Sequence, residues 1–159
     1  MHYYDHFQSP HGRMLLVADD NGLASVSFAG QKYAPRVEKG WTRDGAHAPI
    51  AKAKRELAEY FAGRRKRFSV KLAPQGTPFQ RKVWKAIAQV AFGKTIAYAE
   101  LARRAGRPGS ARAAGAATGR NPIGVIVPCH RIVGSNGSLT GYAGGLAKKR
   151  ALLELEARA

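Results

Sequence analysis

The residues most able to do chemistry lie in the motif Val-Pro-Cys-His-Arg-Ile at residues 127–132, which holds the only cysteine of the 159-residue chain. A single thiol cannot form an internal disulfide or a multi-cysteine metal site. Lone cysteines are usually small buried hydrophobes, but His130 and Arg131 follow this one at once, and both groups favour a thiolate. Pro128 also restricts the backbone in front of the thiol. The motif therefore predicts a reactive Cys129.

The position of His130 limits how it can activate the thiol. Neighbouring residues do not face each other on a helix, so in a helical turn His130 would take the proton of Cys129 through a bridging water. Papain-like hydrolases bring their catalytic histidine from a distant part of the chain. The Cys-His pair therefore argues against a thiol hydrolase.

Two carboxylates lie in the predicted last helix of the chain. Glu156 lies four residues after Leu152, on the apolar face, where a carboxylate is rare unless it is paired. Glu154 lies on the solvated face, four residues from Arg150, where it can form an ordinary surface salt bridge. We therefore predict that Glu156 is the partner of His130.

The chain is strongly basic, with a formal net charge of +17. Residues 1–75 carry 13 Lys and Arg against 7 Asp and Glu, whereas residues 76–159 carry 14 against 3. The excess positive charge therefore lies in the half that contains Cys129. A charge of this size on a small chain indicates a polyanionic partner, of which nucleic acid is the commonest. An anionic membrane surface would fit the charge but would not explain the thiol.

The N-terminal half predicts a small antiparallel sheet with one covering helix. Asn-Gly at residues 21–22 lies between two apolar runs, which is a strong hairpin signal, and residues 3–7 are a further candidate strand. Apolar residues recur with a helical period over residues 49–61. Residues 68–72 then alternate between apolar and polar, as in a half-buried strand.

A cluster of proline and glycine at residues 73–78 is the best candidate linker. It divides the chain into an N-terminal α/β domain, residues 1–75, and a mostly helical domain, residues 76–159. Thr77 is placed to be the N-cap of the first helix of the second domain. The predicted fold class is therefore mixed α/β, of the α+β kind.

Two short helices at residues 98–105 and 111–118, joined by a glycine-containing turn, predict a helix-turn-helix, with Ser110 as N-cap of the second helix. The second helix is almost entirely Ala and Gly, whereas a major-groove reader normally carries several polar side chains. Tight packing in a core would give the same composition. However, the one long side chain, Arg112, lies in the first turn and can reach outward. The composition therefore favours the minor groove, which is only about 6 Å wide.

Three motifs of the second half together resemble a known family. They are Pro-Cys-His-Arg at residues 128–131, Gly-Arg-Asn-Pro at residues 119–122 and Gly-Tyr-Ala-Gly-Gly-Leu at residues 141–146. Together they are similar to the active-site segment of the O6-alkylguanine-DNA alkyltransferases. The resemblance runs without a gap from Thr77 to Glu156 and extends more loosely over the N-terminal half.

The resemblance implies DNA repair by direct, irreversible and stoichiometric transfer of an alkyl group from O6-alkylguanine, and from O4-alkylthymine, to Cys129. It implies double-stranded DNA as the partner, bound through the minor groove, with the alkylated base flipped out of the duplex. No cofactor is implied, and a monomer is expected. Each protein molecule would repair one lesion.

The resemblance also implies which residues form the site. Arg112 would enter the duplex and fill the space of the extruded base, and Tyr98 would supply a proton to the leaving guanine. Asn121 would join the second helix to the Cys129 segment through side-chain hydrogen bonds. The implied residues are Cys129, His130, Glu156, Tyr98 and Asn121 for catalysis, Ser110, Ala111, Arg112 and Tyr98 for DNA binding, and Ile132, Tyr142 and Ala143 for the base pocket.

Two sequence features bear on alternatives to this assignment. Ala97 and Ala99 flank Tyr98 where the family often has Ser and Gly, so the phosphate contacts near Tyr98 would differ in detail. The alkyltransferase-like proteins, which bind damage without catalysis, would have the same helix-turn-helix and charge. Proteins of that group are similar to this chain but have tryptophan in place of the nucleophilic cysteine. The presence of Cys129 therefore argues against a non-catalytic binding protein.

The remaining features predict neither a metal site nor a membrane segment. His2, His6, His11 and His47 lack a set of cysteine or carboxylate partners at metal-binding spacing, so no metal is assigned. No apolar run approaches the roughly 20 residues of a membrane span, and the N-terminus lacks the regions of a signal peptide. We therefore expect a cytoplasmic protein, in which Cys129 stays reduced.

Overall fold

The computed structural model describes all 159 residues as a mixed α+β chain of six strands and five α-helices, so the predicted fold class is confirmed. The chain forms two compact units. The first contains Met1–Gln75, Pro122–Ile126 and residue 159, and the second contains Gly76–Asn121 and Val127–Arg158. Because residues 122–126 group with the first unit, the division into domains at residue 76 stays a prediction. None of the helices combines the length and the apolar character that crossing a bilayer requires.

The first unit is built on a four-stranded sheet. Its strands are β1 (Tyr3–Ser9), β2 (Gly12–Asp19), β3 (Gly22–Phe28) and β4 (Thr42–Arg43), in the order β3-β2-β1-β4. The β2-β3 hairpin lies where the Asn-Gly signal predicts it, with Asp19 paired to Gly22. The side chain of Asp19 accepts hydrogen bonds from the backbone N–H groups of Asn21 and Gly22, which fixes the turn. The sheet is antiparallel except for β4, which pairs parallel to β1.

Helix α1 (Ala48–Phe61) packs against this sheet as the apolar period predicts. Pro49 lies in its first turn, where a missing N–H costs nothing. The helix buries four apolar side chains, of which Ile50 and Leu57 each contribute up to about 3 kcal/mol when fully removed from water. These side chains are Ile50, Ala53, Leu57 and Tyr60.

The strand predicted at residues 68–72 is wrong. The predicted alternation of burial is present, but the only ladder contact is an isolated bridge between Leu72 and Leu23. The backbone N–H groups of Ser69 and Val70 donate to the buried carboxylate of Glu56, at 2.9 and 3.2 Å. A helix side chain thus replaces the neighbouring strand as hydrogen-bond acceptor, and this cannot be read from residue alternation.

The second unit contains four helices and a short parallel ladder. The helices are α2 (Pro78–Ala88), α3 (Tyr98–Arg104), α4 (Ala111–Gly119) and α5 (Leu146–Arg158). Helices α2, α3 and α4 pack together, in agreement with the predicted helix-turn-helix. The strands β5 (Ile96–Ala97) and β6 (Ile132–Val133) pair in parallel. Two-residue strands carry no detectable period, which is why the sequence did not predict them.

The two predicted helix caps differ in outcome. The hydroxyl of Thr77 accepts from the N–H of Gln80, and the side chain of Gln80 accepts from the N–H of Thr77, so α2 begins with a full capping box. Ser110 occupies the N-cap position of α4, but its side chain makes no capping hydrogen bond. Prediction of Ser110 as a capping side chain is therefore wrong, although the helix begins where expected.

Replacing Thr77 with Ala removes the acceptor for the N–H of Gln80. We expect Thr77→Ala to lower the free energy of unfolding by about 1 kcal/mol, measured by chemical denaturation. The matched control is Ser135→Ala, an exposed position outside the helices, which should change the stability by less than about 0.5 kcal/mol. Equal stabilities of the two variants would contradict the cap.

Candidate active site

Cys129 lies in a single turn of 3-10 helix, Cys129–Arg131, that runs directly into β6. We call these three residues the Cys129 turn. The backbone N–H of Cys129 and the side-chain amide of Asn121 both donate to the carbonyl oxygen of Val127, at 2.8 and 2.9 Å. Asn121 follows the end of α4. The side-chain link that the resemblance implies between α4 and the Cys129 turn is therefore present.

Glu156 and His130 meet as the helix pattern predicts. The Nε2 atom of His130 lies 2.6 Å from the Oε2 atom of Glu156, and both side chains are buried, His130 being 0% exposed. Glu154 is exposed on the other face of α5, but it makes no ion pair, so the predicted surface salt bridge is wrong. Glu156 is thus the carboxylate that reaches the Cys129 turn.

Arg131 is a second partner of Glu156 that the sequence did not predict. Its Nε donates to Oε1 at 2.8 Å and its Nη2 to Oε2 at 3.0 Å, a bidentate pair, while Nη1 donates to the carbonyl of Val90 at 2.7 Å. The N–H of Gly93 also donates to Oε1, at 3.3 Å. One buried carboxylate therefore holds α5, the Cys129 turn and the segment after α2 together.

The protonation of Cys129 differs from what its neighbours in the sequence indicate. Burial raises the pKa of the Cys129 thiol, against smaller lowering effects of a hydrogen bond from Asn121 and the positive charge of Lys149. The interpretation that the residues following Cys129 favour its thiolate is therefore wrong for this state of the protein. The two groups that would favour a thiolate are bound to Glu156, His130 through Nε2 and Arg131 through Nε and Nη2.

Burial, together with the positive charges of Arg131 and Lys149, lowers the pKa of His130, although the neighbouring Glu156 acts to raise it. The imidazole is therefore neutral at neutral pH. Because its Nε2 is bound to a carboxylate, Nε2 carries the hydrogen and Nδ1 carries the lone pair. Nδ1 is buried and has no hydrogen-bond partner. The residue after Cys129 is thus a neutral base with one unused acceptor atom, Nδ1.

Tyr98 lies where β5 ends and α3 begins. Pairing of Ile96 with Ile132 brings this position beside the strand that follows the Cys129 turn. The ring of Tyr98 packs against Gly115 of α4, where a Cβ atom would lie 3.6 Å away. Its hydroxyl group lies 3.5 Å from the carbonyl oxygen of Thr140. Tyr98 therefore contacts both α4 and the loop that precedes α5.

The other residues that the resemblance implies for DNA binding and for the base pocket differ in their exposure to solvent. Arg112 is exposed in the first turn of α4, while Ser110 and Ala111 are partly buried. The opposite face of α4 is packed, so the small residues of this helix serve core packing as well as an open face. In the implied base pocket, Tyr142 and Ala143 are partly exposed, whereas Ile132 is fully buried.

Lys149 is a further residue of the site that the sequence analysis missed. It is fully buried, and its Nζ donates to the carbonyls of Ile132 and Thr140 at 2.6 and 2.7 Å. Lys149 lies seven residues before Glu156 on α5, on the same face. The test that identified Glu156, a charged residue on an apolar helix face, would have identified Lys149 as well.

Comparisons with known proteins show the family to which the chain belongs. Residues 2–74 match the model of the 6-O-methylguanine DNA methyltransferase ribonuclease-like domain, and residues 78–158 match the DNA binding domain of the same family. The chain belongs to the 6-O-methylguanine DNA methyltransferase family. The resemblance drawn from the Cys129, Asn121 and Gly141 motifs is therefore confirmed.

Relatives within this family cover nearly the whole chain. A Methanosarcina acetivorans methylated-DNA–protein-cysteine methyltransferase is 47% identical over 154 residues, 97% of each chain. The crystal structure of Mycobacterium tuberculosis O6-methylguanine methyltransferase is 45% identical, with a TM-score of 0.89 and coverage of 99% of this chain and 94% of that one. M. tuberculosis OGT in complex with DNA is 43% identical, with a TM-score of 0.88 and coverage of 98% and 93%.

Replacing Glu156 with Gln removes the negative charge between His130 and Arg131 and keeps the side-chain volume. Because Arg131 is buried, it would lose its only anionic partner. We expect the free energy of unfolding to fall by about 3 kcal/mol or more, measured by chemical denaturation. Glu154→Gln, on the exposed face of the same helix, should change it by less than about 0.5 kcal/mol. Similar losses in both variants would show that the network does not stabilise the fold.

Proposed function

We propose that this chain repairs DNA by transferring the alkyl group of O6-alkylguanine irreversibly to its own Cys129. Relatives of nearly full length are named methylated-DNA–protein-cysteine methyltransferases, and DNA repair by alkyl transfer is the activity of this family. The observation that carries the assignment to Cys129 is the buried contact between His130, its neighbour in sequence, and Glu156. The only thiol of the chain is adjacent to a neutral, buried imidazole that is held by a carboxylate.

In this mechanism the proton leaves the thiol before or as the new bond forms. His130 accepts the proton of Cys129 at Nδ1 through a bridging water, and Glu156 stabilises the imidazolium that results. The sulfur then attacks the alkyl carbon, and the bond between that carbon and O6 breaks, leaving its electron pair on the guanine oxygen. The hydroxyl of Tyr98 gives a proton to the leaving base.

The product is a thioether on Cys129, and the mechanism assigns no residue to its cleavage. One protein molecule therefore accepts one alkyl group. The raised pKa of the Cys129 thiol is compatible with a protein that reacts once. A protonated, buried sulfur is a poor nucleophile until its proton can move. Transfer of that proton to His130 makes the nucleophile inside the site, where water does not compete for the alkyl carbon.

We assign DNA binding to α4 and the positive charge of the C-terminal half. Arg112 and Ala116 are exposed on this helix, and its side chains are otherwise small. A helix of this shape suits the minor groove, and a single long side chain can take the place of an extruded base. Double-stranded DNA with a flipped alkylated base is therefore the proposed substrate, with O4-alkylthymine as a second lesion.

A monomer is sufficient for this function, because every residue of the mechanism comes from one chain. We place its action in the cytoplasm, where reducing conditions keep a lone thiol free. The alternative, a damage-binding protein without catalysis, is not favoured because Cys129 and its base are both present.

The proposed transfer is stoichiometric, and its site can be tested directly. Incubation with excess O6-methylguanine duplex should add one methylene mass to the intact protein, and peptide mapping should locate it on the peptide that contains Cys129. Cys129→Ser should bind duplex DNA with near wild-type affinity and gain no mass, since phosphate contacts and thiol chemistry use different groups. Repair of many lesions per molecule, or labelling elsewhere, would falsify the proposal.

Arg112→Ala tests the extrusion step. We expect its reaction with O6-methylguanine in duplex DNA to slow by about 10-fold or more, because opening the base stack costs a few kcal/mol. Reaction with free O6-benzylguanine needs no extrusion and should keep its rate. Arg158→Ala removes one exposed positive charge near the end of α5 and is the charge control. Equal losses on both substrates would remove Arg112 from this role.

A further inference from the structure

A buried ammonium group without a carboxylate partner lies beside the Cys129 turn. Lys149 is 0% exposed, and its Nζ donates to the carbonyls of Ile132 at 2.6 Å, Thr140 at 2.7 Å and Gly141 at 3.3 Å. Lysine is almost never fully buried unless it is paired, because desolvating a charge costs several kcal/mol. Three carbonyl groups satisfy its hydrogen bonds but leave its positive charge uncompensated.

The three carbonyls belong to two segments that the proposed mechanism brings together. Ile132 directly follows the Cys129 turn, whereas Thr140 and Gly141 directly precede Tyr142. The ammonium therefore connects the segment that carries the sulfur to the loop proposed to line the base pocket. The hydroxyl of Tyr98 approaches the carbonyl of Thr140 as well, at 3.5 Å.

The remaining charged groups near Lys149 are directed elsewhere. On the Cys129 turn, His130 and Arg131 are bound to Glu156. The Cys129 thiol interacts electrostatically with Lys149. Burial lowers the pKa of the lysine, and a thiolate at Cys129 raises it. The same ammonium lowers the pKa of His130. Its charge therefore favours a negative sulfur and does not favour a positive imidazole.

We infer that Lys149 is a positioning residue for alkyl transfer, which ties the loop before Tyr142 to the Cys129 turn and stabilises negative charge on the Cys129 sulfur. The inference rests on the proposed function, in which that sulfur accepts the alkyl group. Lys149 acts through the sulfur and the loop. The ammonium is already buried and oriented before the thiolate forms, so no reorganisation is needed when the sulfur becomes charged.

The first test is the pH dependence of cysteine alkylation by iodoacetamide in the full chain without DNA. Lys149→Met keeps an unbranched side chain of similar length and removes the ammonium. We expect the pH midpoint of Cys129 alkylation to rise by about one pH unit or more. Alkylation of Cys129 at neutral pH should slow about 10-fold. Arg150→Met removes an exposed charge from the same helix and should leave the midpoint unchanged. An unchanged midpoint in folded Lys149→Met would overturn the inference.

The second test needs no substitution of Lys149. Coupling between two titrating groups is reciprocal, so the pKa of the Lys149 ammonium, measured by NMR, should be lower in Cys129→Ser than in wild type. Equal pKa values in the two proteins would overturn the inference. Neither test uses an alkylated base. A wild-type chain that accepts no alkyl group from DNA would therefore refute the proposed function and leave these titrations to decide the role of Lys149.

Discussion

The buried carboxylate of Glu156 is the interaction on which the rest of the site depends. It accepts hydrogen bonds from His130, from two nitrogens of Arg131 and from the N–H of Gly93. A lone buried carboxylate would be strongly destabilising, but one with a bidentate guanidinium and two further donors is compensated. Because the donors come from the Cys129 turn and the segment after α2, the same charge fixes these segments against α5.

This arrangement leaves the thiol and its base uncharged in the resting protein. Burial raises the pKa of Cys129 and lowers that of His130, so the thiolate and imidazolium forms are both disfavoured. Glu156 offsets part of this effect on the imidazole side and Lys149 on the sulfur side. In the proposed mechanism, moving one proton from sulfur to Nδ1 creates two charges, each of which already has a partner of opposite sign. A protein that reacts once benefits from a thiol that is unreactive until substrate arrives.

Much of this could be predicted from the sequence, and the reasons are local. The lone cysteine next to a histidine identified the nucleophile, and helical period placed Glu156 on the face that meets His130. The capping pattern at Thr77 predicted the start of α2, because caps depend on side chains a few residues apart. The composition of α4 favoured an open face over core packing, and the helix has both, with Ala114 and Ala117 buried and Arg112 exposed.

The errors concern contacts that no local pattern encodes. The position of Arg131 after Cys129 suggests a group that acts on the thiol, but its guanidinium pairs with a carboxylate 25 residues away. The pKa of Cys129 is raised by desolvation, which adjacency in sequence does not reveal. Residues 68–72 alternate like a strand, yet their N–H groups donate to Glu56, a side chain of α1.

The most direct test of this account is the protonation state of His130, read from its ring nitrogen chemical shifts during a pH titration and assigned by comparison with His130→Gln. The account predicts a neutral ring at neutral pH with hydrogen on Nε2. It also predicts protonation only below the ordinary histidine pKa of about 6.5. A ring that is already an imidazolium at neutral pH, or that carries its hydrogen on Nδ1, would leave no base for the thiol and would contradict the proposed relay.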